Sequence, residues 1–122
     1  MKAKYFDTMP ARAKDFLNYQ SIIKNRSATT VEQYCLDLRL FFKFMFCKLN
    51  NISSALIENE DVTMDISVFD DNFYNTVTLG DAYEFLAYCR NERENKEKAR
   101  ARKVSSLRAF FKYLRMNGII ED

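Results

Sequence analysis

No histidine occurs anywhere in this chain of 122 residues, which removes Ser-His-Asp and Cys-His catalysis and every His-containing metal site. Neither catalytic residues, nor a metal, nor a cofactor, nor a small-molecule substrate is expected of it. Glycine occurs twice and proline once, so tight turns are scarce and long helices are favoured. Cysteine occurs three times, an odd number. Along one helix Cys35 and Cys47 would lie about 18 Å apart, too far to pair, so the thiols read as reduced in an intracellular, cytoplasmic protein. No run reaches the roughly 18 apolar residues of a membrane span, and the first twenty residues lack the apolar centre of a secretion signal. A soluble protein with no membrane partner is expected.

Lysine and arginine are missing from residues 51–89, which hold eight acids, whereas residues 90–122 hold ten bases and five acids. The formal net charge of +2 is too small to indicate a polyanion partner, so the distribution carries the argument. Its centre is residues 95–118. There Lys96, Lys98, Arg100, Arg102, Lys103, Arg108, Lys112 and Arg115 face the single acid Glu97. Val104, Leu107, Phe110, Phe111 and Leu114 have the spacing that lines one face of a helix, so the back half docks on a core. Carried backward, the same stripe meets Lys103, Arg100 and Lys96. The front half is therefore expected to overhang the core and meet something anionic, with Ala99 and Ala101 small enough for close approach.

The length fits one domain with one core, over residues 1–122, with residues 1–9 as a loose arm. Thr8 and Pro10 predict a helix start, and Phe16, Tyr19, Ile22 and Ile23 an inward face continuing to about Lys24. The capping-box spacing of Thr29 to Glu32 predicts a second helix to about Lys48. Its two apolar stripes, Val31, Tyr34, Leu38, Phe41, Met45 and Leu36, Leu40, Phe44, Cys47, make it the central strut. In the acidic segment Ile52, Leu56 and Ile57 suggest a short helix, Val62 to Val68 weak alternation, and Phe69, Phe73 and Tyr74 anchors. Asp61, Asp65, Asp70 and Asp71 lack the spacing of a calcium loop and read as solvated acids. A third helix starts at Thr78, with Leu79, Ala82, Tyr83, Leu86 and Cys89 inward, and ends in a charged link at residues 91–95. Gly118 closes the last helix. Ser27, Thr29, Thr30 and Gln33 make the start of helix two unusually polar for a buried strut, and hydroxyls and amides at a helix start suit phosphate contacts.

Three patterns carry a resemblance. Ser27, Thr30, Tyr34, Asp37, Leu38 and Phe41 form S-x-x-T-x-x-x-Y-x-x-D-L-x-x-F; Thr78 to Leu86 reads T-L-x-D-x-x-x-F-L. Arg102, Ser105, Leu107, Arg108, Phe110, Phe111, Tyr113, Leu114, Gly118 and Ile120 form the closing pattern. Together, over about residues 10–120, they resemble the N-terminal core-binding (SAM-like) domain of tyrosine recombinases, the phage integrase and Xer group. The resemblance implies an all-α, four- to five-helix orthogonal bundle that grips duplex DNA, alongside other recombinase subunits. It places the Arg, Lys, His and Tyr of DNA cutting in a separate catalytic domain that this chain lacks. The implied DNA-binding residues are Lys96, Lys98, Arg100, Arg102, Lys103, Ser27, Thr29, Thr30 and Gln33. Tyr113 matches a core position and is not read as a nucleophile. The alternative is an all-helical protein-interaction module with a basic docking helix.

Overall fold

The computed structural model describes residues 3–91, 93 and 96–121. Most of the expected link at residues 91–95 therefore lies outside the described residues, as do positions 1, 2 and 122. Among the described residues there are six α-helices and no strand: α1 (Ala3–Asp7), α2 (Ala11–Asn18), α3 (Ala28–Leu49), α4 (Asp71–Thr76), α5 (Leu79–Asn91) and α6 (Glu97–Met116). The all-α expectation holds, and the two short helices, α1 and α4, account for the larger number.

At 22 residues, or about 33 Å, α3 is the strut. Both of its stripes are buried except Tyr34, which is half-buried, and Leu36, which is exposed. This burial lets α2, α5 and α6 all pack against it. Phe16 of α2 meets Phe110 of α6 at 5.4 Å between ring centroids, and Phe41 and Phe44 of α3 both meet Phe85 of α5. Phe42 is stacked on Phe69 and edge-on to Tyr74, so the acidic segment is fastened to α3 by its aromatics, as anticipated. A bidentate pair from Arg12 to Asp71, at 2.9 and 3.0 Å, ties α4 to α2. Elsewhere the segment is two 3₁₀ turns, Ser54–Leu56 and Ile66–Val68, rather than alternating extended chain.

Several local expectations are corrected. Residues 3–9 are not a loose arm: the helical turn of α1 is followed by buried Met9, and the Arg39 guanidinium sits 4.8 Å from the Tyr5 ring centre. Thr8 does not cap α2. Its hydroxyl donates to the Lys4 carbonyl while Pro10 takes the cap position. The α3 cap is Ser27, whose hydroxyl oxygen accepts from the Thr30 amide at 3.2 Å; it displaces Thr29 because the helix begins two residues earlier than the capping-box spacing suggests. Ile22 and Ile23 are 72% and 69% exposed, and Gln20 is buried instead. The cause is a π turn over Tyr19–Ile23, whose wider turn advances the residues beyond the α-helical register. In α5, Leu79 and Tyr83 are exposed while Phe85, Tyr88 and Cys89 face inward. Thr78 and Asp81 form a reciprocal cap, and Lys48 pairs with Asp81 and Glu84; these contacts turn the Asp81 side of the helix toward α3.

The C-terminal end of α6 follows expectation. Gly118 has φ +70° and donates its N–H to the Arg115 carbonyl, and the Ile119 N–H returns to the Leu114 carbonyl at 2.9 Å. This is the glycine-closed helix end in which two otherwise unpaired carbonyls are satisfied.

Candidate nucleic-acid interface

The two polar stretches identified in the sequence are joined through Asp37. This carboxylate is 3% exposed and lies on α3 where the helix faces α6. Its Oδ1 accepts from Gln33 Nε2 at 3.1 Å and Arg102 Nη2 at 3.0 Å. Its Oδ2 accepts from Ser106 Oγ at 2.6 Å and Arg102 Nε at 3.3 Å. Four donors fill the four lone-pair directions of the carboxylate, the condition under which a buried charge is tolerated. Gln33 and Asp37 are one turn apart on α3, and Arg102 and Ser106 one turn apart on α6, so each helix brings a matched pair to the crossing.

Around this crossing the sequence-predicted residues divide. Ser27 caps α3, and its hydroxyl also donates to Thr30 Oγ1 at 3.0 Å, while Thr29 is exposed. Lys96 occupies the cap position of α6 without a side-chain cap bond, and both it and Lys98 are exposed; Arg100 is half-buried. Lys96 and Lys98 at a helix N-terminus are set against the dipole, an arrangement that an anion would relieve. Arg102 is engaged with Asp37, yet 43% of its side chain remains exposed.

Lys103 is buried, at 4% exposure. Its ammonium is held below the usual lysine range, first by burial and then by Arg102, while Asp37 opposes the shift. The backward extension of the apolar stripe placed Lys103 correctly on the core-facing side; the inference that the stripe leaves the core before Lys103 is what fails. Ser106 and the role of Asp37 were missed. The available signal was a pair of small polar residues inside otherwise apolar stripes, Asp37 beside Leu38 and Ser106 beside Leu107, on helices expected to touch.

The acidic segment reaches the vicinity of this surface where Glu58 pairs with Arg93 just ahead of α6. Its other contacts lead elsewhere: Asp71 to Arg12, Met64 to Cys47, and Asn75 to the Ile119 carbonyl. Among the described residues no group of three or more His, Cys, Asp or Glu is placed to hold a metal ion, and no helix is long and apolar enough to cross a membrane.

Comparison with known proteins bears on the family of the chain. Residues 59–118 match the family described as phage integrase, N-terminal SAM-like domain. Tyrosine recombinase XerC of Caldanaerobacter subterraneus subsp. tengcongensis is 42% identical over 105 residues, covering 86% of this chain and 29% of the relative. Tyrosine recombinase XerC of Leptospira interrogans is 28% identical over 116 residues, covering 95% of this chain and 30% of the relative. Tyrosine recombinase XerD of Listeria monocytogenes is 29% identical over 105 residues, covering 86% and 28%. The chain thus spans less than a third of the length of these curated relatives. No solved structure matches it significantly. The family model covers α4, α5 and α6, the relatives extend the match to 86% and 95% of the chain, and the chain belongs to the N-terminal core-binding, SAM-like family of tyrosine recombinases.

Proposed function

We propose that the chain is the DNA-binding clamp of a site-specific tyrosine recombinase, that cutting and rejoining are performed by residues outside these 122, and that other recombinase subunits assemble with it on duplex DNA. The observation that carries this reading is the Asp37 crossing. It joins Gln33 and Asp37 of α3 to Arg102 and Ser106 of α6, and this supports reading the hydroxyls and amide of one helix start and the cations of the other as parts of one surface. Such a surface can neutralise phosphates and hold register along a duplex. Lys96, Lys98 and Arg100 supply the phosphate-facing charge, with Ser27, Thr29 and Thr30 as uncharged partners. Lys103 acts from below the surface, as a charge buried against Asp37.

Anisotropy titration of a labelled duplex from 50 to 200 mM salt tests this reading. Each lost phosphate contact lowers the slope of log K against log salt by about 0.9, so Lys96→Ala/Lys98→Ala/Arg100→Ala is expected to flatten it by nearly three units. Lys103→Met should leave the slope in place. Equal affinity and slope for the triple variant and the parent chain would refute the assignment. Binding to acidic polypeptide in preference to duplex would favour the protein-interaction alternative.

A further inference from the structure

The crossing does more than hold two helices together: it sets the hydrogen-bonding polarity of the side chains that rim it. A carboxylate accepts and does not donate, so Gln33 must turn its amide nitrogen to Asp37, as it does at 3.1 Å, and its carbonyl oxygen Oε1 away. Arg102 gives Nε and one Nη2 hydrogen to Asp37 at 3.3 and 3.0 Å, which locks the plane of the guanidinium. Of the remaining hydrogens, one on Nη1 and one on Nη2 form a two-nitrogen donor edge at the tip of the fork, away from the carboxylate. The crossing therefore offers one fixed bidentate donor and one fixed acceptor, from two helices that share a single buried anchor.

Resting on the DNA reading above, we propose that Arg102 and Gln33 form a base-reading pair whose polarity is set by Asp37 as a positioning residue. Arg102 takes the O6 and N7 acceptors of a guanine in the major groove, and Gln33 Oε1 accepts from the exocyclic amine of a neighbouring cytosine or adenine. The geometry favours guanine because its major-groove edge alone offers two adjacent acceptors to a two-nitrogen donor, whereas the N7 of adenine is flanked by a donor. A lysine presents one point donor and cannot make that distinction as sharply. Gln33 adds the second element of a code, since thymine and guanine present acceptors where Oε1 requires a donor.

Selection of bound sequences from a randomised duplex library, using the 122-residue chain, is the test. The parent chain is expected to enrich one guanine position by on the order of 10- to 100-fold, the discrimination available to a bidentate arginine contact. Arg102→Lys keeps the charge and should lose that preference while the salt slope stays unchanged. Gln33→Met should relax the adjacent position alone. Asp37→Asn, compared at equal folded fraction by circular dichroism, should lose the guanine preference, which a purely structural role for Asp37 would not alter in folded protein. Retention of the same consensus by Arg102→Lys, or by folded Asp37→Asn, overturns the proposal. Tight binding with no enriched position overturns it while leaving the DNA-binding function standing, and failure to bind any duplex overturns both.

Discussion

Removing the anchor of the crossing should cost more than removing the arginine it holds. In Asp37→Ala, Gln33 and Arg102 lie near enough to the surface to take up water, so their lost bonds contribute little, as exposed ion pairs do. Ser106 cannot: it is 1% exposed and would keep an unpaired hydroxyl, at about 1–3 kcal/mol. Lys103 would keep a buried ammonium with Arg102 and Arg93 nearby and without Asp37 to offset them, adding about 1–2 kcal/mol. The expected total is about 3 kcal/mol. With an unfolding entropy of roughly 2.1 cal/mol/K per residue over 122 residues, that lowers Tm by about 12 °C. Arg102→Ala leaves Asp37 with Ser106 and Gln33 and should cost about half as much. The loss in Asp37→Ala should also shrink between pH 7 and pH 9.5. A lysine pKa lowered in the native state means that the unfolded chain binds more protons, so stability rises with pH there. Urea titration of both variants at the two pH values decides the matter. A loss below about 1 kcal/mol for Asp37→Ala, or a larger loss for Arg102→Ala, would refute the view that the carboxylate offsets buried groups on α6.

Three further outcomes are expected. Tyr74→Phe should be neutral or stabilising by up to about 1 kcal/mol in thermal melts, because the buried Tyr74 hydroxyl has no hydrogen-bond partner among the described residues; a clear loss would show that the hydroxyl is satisfied. Gly118→Ala should destabilise by about 1 kcal/mol, since φ is +70° and no atom of the described residues lies within 4 Å of an added Cβ, so the penalty is conformational and Gly118→Asn should recover part of it. Cys35, Cys47 and Cys89 are buried, and burial pushes their thiols up, Cys89 to about 11. A disulfide exchange reagent at pH 8 should therefore label none of them rapidly in native protein and all three once urea is added. A fast-reacting thiol in native protein would contradict that burial.

Long, strictly periodic segments were legible in the sequence. The inner faces of α3, Leu36 apart, and the back half of α6 appear as read because their apolar residues recur on the helical period. Legibility failed where something other than periodicity chose the face. The π turn moved Ile22 and Ile23 outward, and the cap and ion pairs of Asp81 turned α5 so that Phe85 and Tyr88 replaced Leu79 and Tyr83. At the candidate interface the elements were legible but the division of labour was not. A lysine reads as a surface charge in one dimension; only the facing carboxylate of Asp37, 66 positions earlier, makes Lys103 a tolerable buried residue.

The π turn also bears on how this fold can change length. Its i to i+5 closure, from the Lys24 N–H to the Tyr19 carbonyl at 3.0 Å, contains one residue more than an α turn needs. Deleting a single residue between positions 19 and 23 should let the α ladder close without losing a hydrogen bond. The turn then still closes one revolution, so the chain that follows keeps its angular register and is only drawn slightly back along the axis. Phe16 on one side and Val31 on the other stay packed, and Lys24, Asn25 and Arg26 keep their direction. The extra residue is thus a point at which a chain of this design can gain or lose length while its aromatic core and the loop ahead of Ser27 stay in place.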